Sequence, residues 1–212
     1  MKLIKLLTTV LLCFSILSVF SQKRFSLGIQ AGPNYSNLRF ENESVIEHDY
    51  EFGYFLGLSA NYRLKKRLSI RTELNYDRKV ASVSFPGVVI GNDVFPAGKI
   101  EDVYEFITLP VLLKYEFSDK NPFFINGGVF LGYFLRARES TNGRELSEDL
   151  SYFFANYDFG FSIGVGKTFS INDSNNLTVE LRNHLGVVNI EADSEYTKTN
   201  SFSLILGWNF TL

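Results

Sequence analysis

From Phe25 to the C-terminus one pattern repeats: a bulky apolar residue at every second position, with a small or polar residue between. Successive side chains of a β-strand point to opposite faces, so a period of two predicts strands that are apolar on one side only. Eight stretches carry it, at residues 25–33, 51–64, 68–78, 103–117, 122–136, 156–169, 177–188 and 201–212. In the sixth, Tyr157, Phe159, Phe161, Ile163 and Val165 share one face, and Asp158, Gly160, Ser162, Gly164 and Gly166 the other. Pro110 lies inside the fourth and cannot donate to a ladder, so a local irregularity is expected there. The connections alternate in length: residues 36–50, 79–102, 137–155 and 189–200 are long, and 65–67, 118–121 and 170–176 are short.

The content of the two faces decides what the strands enclose. A soluble barrel hides its apolar side and shows its polar side. Here the apolar side is continuous and bulky, whereas the polar side is rich in Gly and Ser. An eight-stranded barrel has room inside only for side chains, and many of the 16 glycines fall on the polar face. The bulky face therefore fits lipid, not the interior. Aromatics are 16% of the chain and gather near strand ends, as the interfacial girdles of a membrane barrel do. The fold expected is all-β: an eight-stranded, antiparallel, up-and-down transmembrane β-barrel with long outer loops and short periplasmic turns.

Residues 1–21 read as a signal peptide. Lys2 and Lys5 precede an apolar run over residues 6–20, and Val19 and Ser21 are small enough for a cleavage site before Gln22. Two domains follow, a signal peptide at 1–21 and a barrel at 22–212. Cys13, the single cysteine, is lost on cleavage, so no disulfide or thiol chemistry is expected in the mature chain. Past residue 21 no apolar run is long enough for a membrane helix.

Among the charges on the small-residue face, five are singled out: Arg71, Glu73, Lys114, Glu180 and Arg182. Counted from the strand ends they lie at matched depths, so they should pair in the lumen, where a lone charge is costly. A structural plug is expected, with a proton or ion path as the alternative. His184 sits beside Arg182 on that face, and His48 in the first loop. No serine stands in a nucleophile context, no Cys or His cluster has ligand spacing, and no Gly-rich loop opens a helix. No catalytic residue, metal or cofactor is expected. The net charge of −2, without a basic stripe, argues against nucleic acid. The second long loop is unusually apolar, with Phe85, Val88, Ile90 and Phe95. It is expected either to prolong the flanking strands or to touch a partner or the barrel mouth.

Residues 106–115, Phe-Ile-Thr-Leu-Pro-Val-Leu-Leu-Lys-Tyr, resemble a strand of the PorT-like outer-membrane β-barrel proteins of Bacteroidota. So do Gly28, Gly32 and Asn34, the run from Gly127-Gly128 to Gly132-Tyr133, and Arg182 followed by Gly186-Val187-Val188-Asn189-Ile190. The resemblance spans residues 22–212. It implies an outer-membrane location but no single activity; one class within that family supports type IX secretion and gliding. The chain departs from the usual barrel ending in closing on Leu212 and not on an aromatic residue. The function expected is a non-enzymatic envelope scaffold, binding protein or secretion accessory. It would act through its external loops, as a monomer in contact with outer-membrane lipid. A lipid-modifying enzyme and a soluble lipocalin-like barrel are the alternatives.

Overall fold

The computed structural model describes residues 24–40, 49–85, 87–90, 93–95, 97–141, 144–145, 154–190 and 197–212. The expected signal peptide, residues 1–21, and His48 lie outside the described residues. So do the side chains of Phe85, Val88, Ile90 and Phe95.

Eight long strands form the wall: β1 Phe25–Phe40, β2 Asp49–Lys65, β3 Leu68–Phe85, β4 Gly98–Glu116, β5 Phe123–Thr141, β6 Tyr157–Ser170, β7 Asn175–Gly186 and β8 Thr197–Thr211. Each pairs antiparallel with its neighbours in sequence. β1 pairs with β8 from Ser26↔Thr211 to Phe40↔Thr197 and closes the ring. Closure leaves the wall no open edge, the condition for crossing hydrocarbon with strands. Among the described residues no helix is long and apolar enough to cross a membrane.

The expected strands are all present, but β1, β3, β4 and β5 run well past their expected ends on the loop side. The β3–β4 ladder continues to Phe85↔Gly98, and Val88–Ile90 pairs with Asp93–Phe95 in a short ribbon beyond it. The long second connection is thus mostly a tall hairpin. Opposite Pro110 the β3–β4 ladder is interrupted between Thr72↔Val111 and Asn75↔Thr108 without a change of register. The missing N–H of proline accounts for the gap.

The turns have their own chemistry. The two residues Lys66 and Arg67 join β2 to β3, and both reach Asp119 in the next turn. Asn121 adopts φ 48°, a left-handed conformation that Asn tolerates, and its side chain accepts from the Ser170 N–H. Asn172 accepts from the backbone N–H groups of Ser174 and Asn175, an Asx-type turn.

Outward side chains form an apolar belt that includes Ile29, Leu58, Leu74, Leu113, Phe161, Ile163 and Leu206, all exposed. Tyr54, Tyr133 and Tyr157 edge it on the loop side, and Tyr115, Phe117, Phe123 and Trp208 on the turn side. Lys167 lies in the turn-side girdle with its ammonium 4.6 Å from the Phe123 ring and 5.2 Å from Phe169.

The inward face holds more than small and charged residues. Phe55, Phe106, Phe124, Phe130 and Phe134 also point into the lumen and are buried. Three of them stand directly across from a glycine on the next strand: Phe55↔Gly32, Phe124↔Gly166 and Phe130↔Gly160. Each ring lies over the bare backbone opposite, a device that stabilises glycine in strongly curved sheets. A Cβ on Gly160 would overlap the Leu185 carbonyl oxygen and come within 2.7 Å of the Phe130 ring. Gly160→Ala is therefore expected to cost about 1–3 kcal/mol, read from urea unfolding in lipid vesicles. An unchanged midpoint would show that the wall yields at this point.

Candidate functional site

The lumen is stacked in layers, because inward residues at successive steps along neighbouring strands meet at the axis. Nearest the turns, Lys114 Nζ lies 2.8 Å from Glu116 Oε1 and 4.2 Å from the Phe124 ring. Lys114 and Glu116, with Arg24, Arg63 and Asn61, border a polar vestibule of about 120 Å³.

Above it four charges alternate in a closed ring. Arg71 Nε contacts Glu73 Oε1 at 2.6 Å, and Arg71 Nη1 contacts Glu180 Oε2 at 3.0 Å. Arg182 Nη1 and Nη2 donate to both oxygens of Glu73 at 2.7 and 2.9 Å, and Arg182 Nε donates to Glu180 Oε1 at 2.6 Å. Two guanidinium groups and two carboxylates cancel. Amides add further bonds: Gln30 donates to Glu73 and Asn75 and accepts from Arg71, and Asn126 donates to Glu180. All four ring residues are buried; Arg182 is 1% exposed. Burial without partners would be prohibitive at this depth, so the paired charges and their amide neighbours are what permit it.

Four of the five charges singled out in the sequence thus meet. Lys114 does not join them. The stagger of tilted strands pairs it with Ser69, not Arg71, and leaves it one step nearer the periplasm with Glu116. Gln30, Asn75 and Asn126 were not singled out, although their inward position in the alternation is legible.

A third layer contains Asp77, which accepts from Asn34 Nδ2 at 2.6 Å, and Lys79, 3.4 Å from Asp158 Oδ2. Thr199 Oγ1 donates to the same Asp158 oxygen at 2.7 Å. Here His184 Nδ1 and Ser162 Oγ are 2.6 Å apart, with the Phe130 ring edge-on to the imidazole. Lys79 Nζ also stands over Phe106 and Phe130, at 4.9 and 5.5 Å.

The fourth layer is apolar. Leu38, Ala81, Tyr104, Phe106, Phe134, Ala137 and Ile190 pack inside the barrel mouth, with Phe154 against them. Phe154 and Ile190 belong to the outer connections. The Ala155 N–H donates to the Ile190 carbonyl, and the Ile190 N–H to the Thr197 carbonyl, which folds both connections inward. The space bordered by Lys79, Leu38, Tyr104 and Thr199 beneath this cap is only about 10 Å³. That is room for about one water. Among the described residues, no three His, Cys, Asp or Glu side chains converge as metal ligands.

Outside the membrane two carboxylates are tuned by neighbours. Hydrogen bonding to Lys66, with Arg67 nearby, holds Asp119 below its usual range. Burial pushes Glu51 up, but hydrogen bonds from Lys99 and Ser82 outweigh it and leave the group lowered.

A ring of eight strands, an apolar outer belt and a polar packed lumen coincide with a sequence match over residues 20–191 to the model of the outer membrane protein beta-barrel domain. The chain belongs to that family. As an outer-membrane β-barrel it resides in the outer membrane of a Gram-negative bacterium, which removes the soluble lipocalin-like alternative. Neisserial surface protein A shares the fold, with TM-score 0.51 and 14% identity over 89% of this chain and 97% of that one. OprG of Pseudomonas aeruginosa aligns at TM-score 0.46 and 12% identity, covering 89% of this chain and 97% of its own. Ail, the attachment invasion locus protein of Yersinia pestis, aligns at 0.44 and 12%, covering 88% and 99%. No curated protein matches the sequence.

Proposed function

We propose that this outer-membrane barrel is a closed, non-catalytic anchor that presents its outer hairpin to an envelope or secretion-system protein. One observation carries the reading. A neutral ion ring and an apolar cap obstruct the lumen in series, while β3 and β4 stay paired to Phe85↔Gly98, beyond the last partners of β2 and β5. Above the closed ring, among the described residues, the projecting β3–β4 ladder has strand edges with no partner strand, and such edges are docking surfaces for another chain. The resemblance of residues 106–115 to the PorT-like proteins supports a secretion accessory within this reading.

The Ser162–His184 pair is the feature an enzymatic reading would use. Both residues are buried between the ion ring and the cap, out of reach of lipid, which supports a structural role for them.

Replacing residues 84–98 with a two-residue Asn-Gly turn tests the proposal. The shortened barrel is expected to keep heat-modifiable migration on a gel, to leave the lipid mass profile of the cells unchanged, and to lose crosslinks made from a photoreactive residue at position 83. Crosslinks that persist would refute docking at the hairpin. A shifted lipid profile would favour the enzyme.

A further inference from the structure

The lipid-facing wall carries a groove of about 590 Å³ that crosses β4 to β8. That volume lies in the range of small-ligand sites. Gly127 forms part of its floor, at an outward position of β5 between Ile125 and Val129. A Cβ added there would meet only the Ser162 carbonyl oxygen, at 3.8 Å, so the space above it is open. Its φ is not positive, so the backbone does not require glycine. A glycine inside a strand costs stability and often marks the close approach of a ligand.

From Gly127 a row of cross-strand partners runs through Ile163 to Asn183 and Phe202. Asn183 is the polar member of this row, and it faces the groove between Leu181 and Leu185 of its own strand. Asn183 Nδ2 donates to Asn200 Oδ1 at 2.7 Å and to the Ser201 carbonyl oxygen at 3.0 Å. A backbone carbonyl can only accept, so the second bond fixes which end of the amide is which. Both Nδ2 protons are then committed. Asn200 Nδ2 donates onward to the Tyr50 hydroxyl at 2.7 Å, away from the groove. Asn183 Oδ1 has no donor among the described residues and is not enclosed by protein. At belt depth no bulk water supplies one, so the donor must come from whatever fills the groove.

The groove slopes across the tilted strands. Gly127 lies near the turn-side start of β5, and Asn183 near the loop-side end of β7. A chain lying in it runs from the outer headgroups down toward the bilayer centre. Asn183 stands one row below the polar pair Asn37 and Asn200, the height of the first carbons of an outer-leaflet acyl chain.

We propose that this groove seats an acyl chain of an outer-leaflet lipid that carries a hydroxyl near its head, and that this O–H donates to Asn183 Oδ1. A second copy of the barrel fits less well. Two convex walls meet along a line and leave the recess at Gly127 empty, and a two-fold contact centred on Asn183 sets acceptor against acceptor. The site lies outside the lumen and below the outer hairpin, so it stands apart from the proposed docking function.

The test uses the full barrel in phosphatidylcholine nanodiscs, read by native mass spectrometry. The dopants are phosphatidylethanolamines that differ in one chain: palmitoyl, 3-hydroxypalmitoyl or 3-methoxypalmitoyl. The parent barrel is expected to retain the hydroxylated lipid about fivefold over the palmitoyl one, the equivalent of about 1 kcal/mol for one hydrogen bond. The methoxy chain keeps the oxygen but cannot donate, and should show no preference. N183L should bind all three lipids equally, and G127L should retain less of each. Heat-modifiable migration checks folding. If N183L fails to fold, the methoxy comparison decides the matter. A parent without preference, equal retention of the methoxy and hydroxy lipids, or a folded N183L that keeps the preference overturns the proposal. So does a folded G127L that binds as well as the parent, or a dimer of the parent that G127L abolishes, which would mark a contact between copies.

Discussion

Glu73→Ala is expected to destabilise the barrel by about 3–5 kcal/mol, the largest loss of any single substitution discussed. Glu73 is one of the two carboxylates that Arg71 and Arg182 share, and Gln30 and Asn75 also donate to it. Removing it leaves two buried guanidinium groups facing one remaining acid. The loss comes from stranded partners, not from the pair's net worth. Glu73→Leu combined with Arg182→Leu should therefore be markedly less destabilised than Glu73→Ala alone, because Arg71 and Glu180 stay paired and neutral. Urea titration in lipid vesicles measures both. Additive losses in the double variant would show that the ring does not act as a unit.

The second large effect concerns permeability. Reconstituted in a planar bilayer, the parent barrel is expected to show no conductance steps. The ion ring and the apolar cap block the lumen at different depths, so breaching one leaves the other in place. The cap variant F106A/F134A/I190A and the ring variant E73A/R182A should each remain silent. Their combination should produce discrete openings, as a water path needs both layers breached. Steady conductance in the parent barrel would refute the closed lumen outright. Conductance in either partial variant would show that one layer alone holds the seal.

The sequence shows the strands wherever hydrocarbon enforces the alternation. β1 reads clearly to Pro33 and then appears to stop, although it continues to Phe40. Past Tyr35 the outer face meets headgroups and water, and the run Ser36-Asn37-Leu38-Arg39 no longer carries an apolar face to read. The same loss of contrast hid the upper parts of β3, β4 and β5. Inside the barrel, the identity of the inward charges was legible and their partners were not. Which acid meets which base depends on stagger between strands far apart in sequence, such as Arg71 and Glu180. Phe106, Phe134 and Ile190 gave no sign of a cap, since it forms only when two outer connections fold inward. The β4–β5 register shift between Glu105↔Arg136 and Phe106↔Phe134 is local, but residue types alone do not announce it, and it turns Arg136 away from the side that strict alternation gives it.

The seam between the first strand and the last has a bearing on biogenesis. Phe25 to Phe40 finds its second neighbour only in β8, the last strand of the ring to be made. Every shorter nascent product carries two raw borders that bilayer lipid cannot satisfy. Such a chain has to be kept unfolded during transit and released into the bilayer only when whole. Loss of the closing strand should therefore yield an insertion-incompetent product, not a smaller working barrel.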